Sequence, residues 1–411
     1  MPAAQSSGPD GEDTVIEQRA ADHFLAARVR DAAPSPTLAV SDRARQLKSE
    51  GIDVIDLGGG DPDFITPQHI RQAATDAMNG GQTHYVASPG IPELRKAIAA
   101  KLKVDNGIEV DPAQGVLVTP GGKAALFQAA MALVEPGVDV MVLEPAWVSY
   151  VPMIELAGGT AIHVGLDPDD NFAVMREMLE QHVTDRTRAI LINSPNNPTG
   201  RVLGHDELVA LAEFARAHDL MVWTDEIYEK ILYDGHQHES IAAYPGMAER
   251  TLTFNGLSKA YAMTGWRLGY VAGPPAFIQE IAKVHSHSVT CATSFAQAGG
   301  VAALTGDQAF IGEMLAAWDR RRHLVHDGLG AVKGLRCPLV EGAFYAFVDG
   351  RETGHDALAL ADVLLREAHV AVVPGTAFGE AGEGHVRLSF ATGDDVLEQA
   401  VQRIRDVLGR H

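Results

Sequence analysis

Between Gly115 and Gly273, short apolar, β-branched runs alternate with segments whose apolar residues recur at helical spacing. The runs are GVLVTP, DVMVLEP, TRAILINS, LMVWTDE, TLTFNG and GYVAG, and ELVALAEFARAH is the clearest helical segment. Continuous apolar runs bounded by turn residues predict strands buried on both faces. Their alternation with helices predicts an α/β fold in which a mostly parallel sheet is sandwiched by helices. Ligands of such sheets gather at the carboxyl ends of the strands. Those ends carry TPGGKAA, EPAW, NSPNNPTG, TDEIY and NGLSK. After about residue 300 the pattern changes to long helices with the runs GAFYAFVDG, VAVVPGTAFG and HVRLSFA, which suit a smaller α+β domain.

Residues 1–14 are small, polar and rich in Gly and Pro, and predict a flexible tail. VIEQRAADHFLAARVRDAA predicts a helix that stops at PSP and leads into an extended arm. The resulting division is a tail (1–14), an N-terminal helix and arm contributing to the small domain (15–64), a large domain (65–300) and a small C-terminal domain (301–411). A length of 411 residues exceeds what one hydrophobic core ordinarily supports.

With 54 acidic and 33 basic residues, the formal net charge of −21 argues against a nucleic-acid or anionic-membrane partner. Cys291 and Cys337 are the only cysteines, too far apart for a metal-ligand motif, so neither a disulfide framework nor a metal site is expected. No apolar run is long enough to span a bilayer, and MPAAQSSGPDGEDT lacks the basic and apolar regions of a secretory signal. A cytoplasmic protein is the expectation.

Three strand ends and two arginines offer a common chemistry. Gly121 and Gly122 open a helix, and bare N–H groups at a helix N-terminus suit a phosphate, although such turns are commonly mere loops. Asp225 closes an apolar strand, where a carboxylate needs a cation or a donor; a pyridinium nitrogen or a simple helix cap would serve. Lys259 is either a solvated lysine or an amine held out of water, able to lose its proton and form a Schiff base. Arg267 and Arg387 stand in the apolar frames GWRLG and HVRLS, and a guanidinium matches a carboxylate with two parallel hydrogen bonds.

SPNNPTG, TDEIYEK and GLSKAYAMTGWRLGY, in this order, resemble the fold-type I, class I/II pyridoxal-phosphate-dependent aminotransferases, near the aspartate/prephenate branch. The resemblance runs from PSPTLAV through LGGGDPDFITP, THYVASPGIPELR and VTPGGKAALFQA to VVPGTAFG and HVRLSFAT. It implies that Lys259 carries pyridoxal 5'-phosphate as a Schiff base and shuttles a proton, while Asp225 pairs with the ring nitrogen. Tyr228 and Asn197 would bond the ring's 3-oxygen, and Trp147 would stack on the ring face. The phosphate would meet Gly122, Lys123, Ser258 and Arg267, with Tyr85 arriving from the second subunit of a homodimer. Arg387 would bind the substrate α-carboxylate, helped by the backbone of Gly60. The prolines of EPAW and SPNNPTG stand where the family often has cis bonds.

The substrate reading rests on residues beyond this shared set. Ser286 stands about where one aspartate aminotransferase branch places a partner-subunit arginine, so that mode is absent. A second branch uses a lysine in the GGK turn and a threonine in the N-terminal arm, matched here by Lys123 and Thr37. A second cation favours a dicarboxylic amino acid, aspartate or glutamate, in a ping-pong exchange with a 2-oxo acid. Prephenate and aromatic substrates, or elimination, replacement or cyclisation on the same cofactor, are the enzymatic alternatives; a non-catalytic cofactor-binding regulator is the alternative of another class. Two departures from the family pattern point to specialisation: Cys291 and Ala292 replace a common Asn-Pro, and Gly256 replaces a serine of some relatives.

Overall fold

The structure is a computed structural model that describes residues 23–30, 32 and 34–409. The predicted tail therefore lies outside the described residues, as does most of the predicted helix over 15–33, of which Ala27–Arg30 is helical. Residues up to Pro34 cluster separately from Ser35 onward.

Twelve strands are described: β1 (Ile55–Asp56), β2 (Val116–Thr119), β3 (Asp139–Glu144), β4 (Thr160–Gly165), β5 (Thr187–Asn193), β6 (Met221–Asp225), β7 (Thr251–Gly256), β8 (Gly269–Ala272), β9 (Tyr345–Asp349), β10 (Val370–Ala371), β11 (Val373–Pro374) and β12 (His385–Ser389). The large sheet has the order β2-β8-β7-β6-β5-β3-β4, with β8 antiparallel to both neighbours and every other pairing parallel. This is the mostly parallel, helix-covered sheet that the apolar runs predict.

Both faces of this sheet are covered. Side chains alternate along a strand, so Val140 and Val142 of β3 join a cluster with Leu126 and Ala129 of helix Gly122–Leu133 and Ile281 of helix Pro275–Ser288. Met141 and Leu143 point the other way, into a cluster with Leu208, Leu211 and Phe214 of helix His205–Ala217. Two apolar faces explain why the sequence reads as an unbroken run rather than an alternation.

The later strands form a three-stranded antiparallel sheet, β11-β12-β9, and β10 pairs in parallel with β1. Trp318, Phe344 and Leu397 lie in the core beneath helices Ala309–Gly330 and Asp394–Leu408. The expected extended arm after PSP is instead a helix, Pro36–Ser49. Proline at the first helical position forfeits no helix hydrogen bond and presets φ, and the following ARQLK is rich in helix formers. Among the described residues, no helix is long and apolar enough to cross a membrane.

Candidate functional site

The carboxyl ends of β2, β3, β5, β6 and β7 all open on one side of the sheet, and each strand delivers a side chain or a turn there. After β2 comes Gly121-Gly122-Lys123, after β3 Trp147, after β5 Asn197, after β6 Tyr228, and after β7 Ser258 and Lys259. Between them lies a cavity of about 430 Å³, lined also by Thr37, Gly60, Arg267 and Arg387. Every residue expected to meet the cofactor or the substrate lines this cavity except Tyr85, which is 86 % exposed and stands outside it.

Asp225 ends β6 with its carboxylate almost wholly buried. Burial pushes its pKa up to about 6, although the Tyr150 hydroxyl donates to Oδ2 at 2.8 Å and the Ile227 N–H to Oδ1 at 3.2 Å. Such a group needs a cation more than it needs another donor. Tyr150 itself is buried and raised well above the ordinary tyrosine value, so it stays a hydroxyl donor. The sequence motifs did not point to it.

Lys259 Nζ donates to the Gly60 carbonyl, and burial pushes its pKa down to about 8. Its ammonium also lies 5.8 Å from the Phe344 ring centre. Lys123 Nζ sits 4.8 Å over the Trp147 ring, its pKa lowered by burial and then by Arg267. Arg267 holds a left-handed φ of 51° and donates to the Thr264 carbonyl at 2.7 Å. Gly121, at φ 89°, has no Cβ because one would fall on the Arg267 guanidinium. The turn is thereby shaped so that a cation and the N–H groups opening helix Gly122–Leu133 can meet one anion.

Arg387, on β12, is buried and donates to Asn197 Oδ1 at 2.9 Å and to the Gly58 carbonyl at 2.6 Å. Its guanidinium lies 4.4 Å from the Tyr345 ring centre and 4.9 Å from that of Phe378, while Nε has no partner among the described residues. Tyr345 reaches across from β9, and its hydroxyl pairs with that of Tyr228 at 2.9 Å. A Cβ on Gly60 would fall on this Tyr345 hydroxyl, so that loop must be glycine. Tyr345 and Phe378, like Tyr150, went unnoticed in the sequence. Of the three prolines in EPAW and SPNNPTG, Pro145 and Pro195 follow cis peptide bonds and Pro198 does not.

Residues 52–404 match the sequence profile of aminotransferase class I and II. The chain belongs to this family. Members of this family use pyridoxal 5'-phosphate, and the chain is an aminotransferase. It is 44% identical over 385 residues to an aspartate aminotransferase of Musicola paradisiaca, spanning 93% of this chain and 96% of that protein. It is 44% identical over 389 residues to an aspartate/prephenate aminotransferase of Thermus thermophilus, spanning 94% of this chain and 99% of that one. A solved aspartate aminotransferase from Thermus thermophilus with maleate superposes with a TM-score of 0.89, covering 93% of this chain and 99% of that one at 44% identity.

The cavity fits the family's cofactor on physical grounds. A buried carboxylate with a raised pKa matches a protonated ring nitrogen, the Gly121–Gly122 turn beside Arg267 matches a phosphate, and the face of Trp147 matches a flat ring. An amine whose pKa is pushed down to about 8 loses its proton readily and matches a carbonyl.

Proposed function

We propose that this aminotransferase takes the amino group of a dicarboxylic amino acid, aspartate or glutamate, and passes it to a 2-oxo acid by a ping-pong mechanism. Lys259, Asp225, Asn197, Tyr228, Trp147, Ser258, Arg267 and the backbone N–H groups of Gly122 and Lys123 would hold pyridoxal phosphate. When bound, the cofactor supplies an electron sink for the pair left as the substrate α-carbon loses its proton. Lys259 Nζ, its pKa brought down by burial to about 8, takes that proton and returns it. Asp225 keeps the ring nitrogen protonated, and Tyr150 fixes which way the carboxylate faces.

Arg387 binds the α-carboxylate. Tyr345 and Phe378 flank its guanidinium and its two held N–H groups fix its plane, so it presents a set geometry to the substrate. The observation that carries the substrate reading is a second cation, Lys123, over the Trp147 ring in the same cavity. Its lowered pKa records desolvation, and a distal carboxylate would reverse that cost. Thr37, at the start of helix Pro36–Ser49, borders the same space. Prephenate, named for the Thermus thermophilus relative, also carries a distal carboxylate and is the second reading.

The exposed Tyr85 supports a homodimer in which it completes the phosphate site of a second copy. The separate sheets support a large domain over 65–300 and a small domain formed by 301–411 with the N-terminal segment. A cytoplasmic location accords with these readings.

Visible absorption tests the proposal. Protein loaded with pyridoxal phosphate is given single amino acids without an acceptor. Aspartate or glutamate should convert the pyridoxal band to that of pyridoxamine, and Lys123→Met should weaken this response by about ten- to a hundredfold while leaving that to neutral amino acids unchanged. Conversion by neutral or aromatic amino acids alone would overturn the dicarboxylic preference.

A further inference from the structure

Glu144 ends β3 immediately before cis-Pro145, and its carboxylate is 3 % exposed in a position that catalysis does not call on. Among the described residues, no lysine or arginine pairs with it. Its Oε1 lies 2.5 Å from Nδ1 of the half-exposed His163 on the neighbouring β4, and its Oε2 accepts from the Glu380 N–H at 3.2 Å. The turn Gly375–Gly382 is shaped around this side chain, since a Cβ on Gly379, at φ 112°, would overlap the Glu144 carboxyl group. A second tie runs alongside, from the Ala146 N–H to the Phe378 carbonyl at 2.8 Å.

What these ties connect gives them their meaning. On one side, three residues after Glu144, stands Trp147, which borders the cavity opposite Lys123. On the other stands Phe378, whose ring supports the Arg387 guanidinium. Trp147 comes from the large sheet and Arg387 from the three-stranded one, and 240 residues of chain separate them. The Arg387–Asn197 and Tyr228–Tyr345 hydrogen bonds also cross between these parts, but neither involves the β3 end that carries Trp147.

We infer that Glu144 is a positioning residue: bracketed by His163 and the Gly379–Glu380 backbone, it sets the spacing between the Trp147 wall and the Arg387 clamp. This rests on the reading that Trp147 and Arg387 flank the cofactor and the substrate. Small displacements of groups that hold a substrate at both ends carry large penalties. Trp147 is one of several groups that would hold the cofactor, and the others, the phosphate turn, Asp225 and Lys259, lie on elements that Glu144 does not touch, so the residue bears on substrate affinity more than on cofactor affinity.

The test compares Glu144→Ala, Glu144→Gln and His163→Ala as cofactor-loaded protein, titrated with the dicarboxylate maleate, alongside cofactor titration of the stripped protein and amide exchange. Glu144→Ala should raise the maleate Kd and the amino-acid KM by about ten- to a hundredfold, with a far smaller change in kcat and cofactor affinity held within about twofold. Glu144→Gln, which keeps an acceptor for the Glu380 N–H, should recover most of the loss. His163→Ala, a half-exposed change that spares the core, should shift binding in the same direction. Amide exchange at Ala146 and Glu380 should quicken in Glu144→Ala. Equal maleate binding in all three, or parallel loss of cofactor affinity and melting temperature, would overturn the inference. A wild type that ignores maleate while exchange still quickens at those two amides would instead refute the dicarboxylate reading and leave the tie standing.

Discussion

Asp225→Asn in the cofactor-free protein exchanges a buried carboxylate for an amide of the same shape. The Ile227 N–H keeps its acceptor, and the Tyr150 hydroxyl can turn to accept from the new amide. What disappears is the cost of holding a charge out of water. The folded pKa of about 6 lies above the ordinary 3.8, so the unfolded chain ionises first as pH rises. The cost is absent below about pH 4, grows between the two values and is complete above the folded one. The gap amounts to about 3 kcal/mol. Stripped Asp225→Asn protein should therefore match the wild type at pH 4 and exceed it by up to about 3 kcal/mol at pH 8. Denaturant midpoints of both proteins across this range provide the assay. Pyridoxal phosphate should reverse the order, because only the carboxylate can pair with a protonated ring nitrogen. A pH-independent difference, or a variant less stable at pH 8, would refute the assignment of Asp225 as a desolvated carboxylate awaiting a cation.

Two further outcomes follow from the same geometry. Arg387→Lys keeps the charge but loses the planar fork and the pair of bonds to Asn197 and Gly58; kcat/KM for the amino acid should fall by about a hundredfold, mostly through KM, as steady-state kinetics would register. Behind Asp225, the buried carboxylates of Glu226 and Glu229 face Lys101, Asn106 and His238. Burial opposes a charge on His238, yet Glu226 and then Glu229 outweigh it and raise the imidazole pKa. The stabilisation is then fully present below the ordinary histidine value of 6.5 and is lost as pH rises through the raised one. Chemical denaturation should find His238→Gln most costly at pH 6 and least costly at pH 9.

Much of this site can be read in the sequence because family motifs coincide with strand ends. TPGGK, EPAW, SPNNPTG, TDEIY and GLSK each follow a run apolar on both faces, and a parallel sheet must bring such ends together. β4 escaped notice because its burial alternates at an edge of the sheet, with Thr160 and His163 interrupting the apolar signal. The arm after PSP was misjudged because proline ends one helix as readily as it begins another. Tyr345 and Phe378 belong to no local pattern; the antiparallel pairing of β9 with β12, which sets Arg387 opposite Phe347 and beside Tyr345, and the Gly375–Phe378 turn make them neighbours of Arg387. Tyr150 did leave a trace, three residues after Trp147 at the start of helix Tyr150–Leu156, where a side chain faces back toward the strand ends. Glu144 left another, as a carboxylate closing a run that is otherwise buried.

The most direct measurement of the central claim is reduction of the pyridoxal-phosphate-loaded protein with borohydride, followed by peptide mapping. A single pyridoxyl group on Lys259, with none incorporated in Lys259→Ala, is the result the structure predicts. A label on Lys123 or any other lysine, or no label at all, would contradict it.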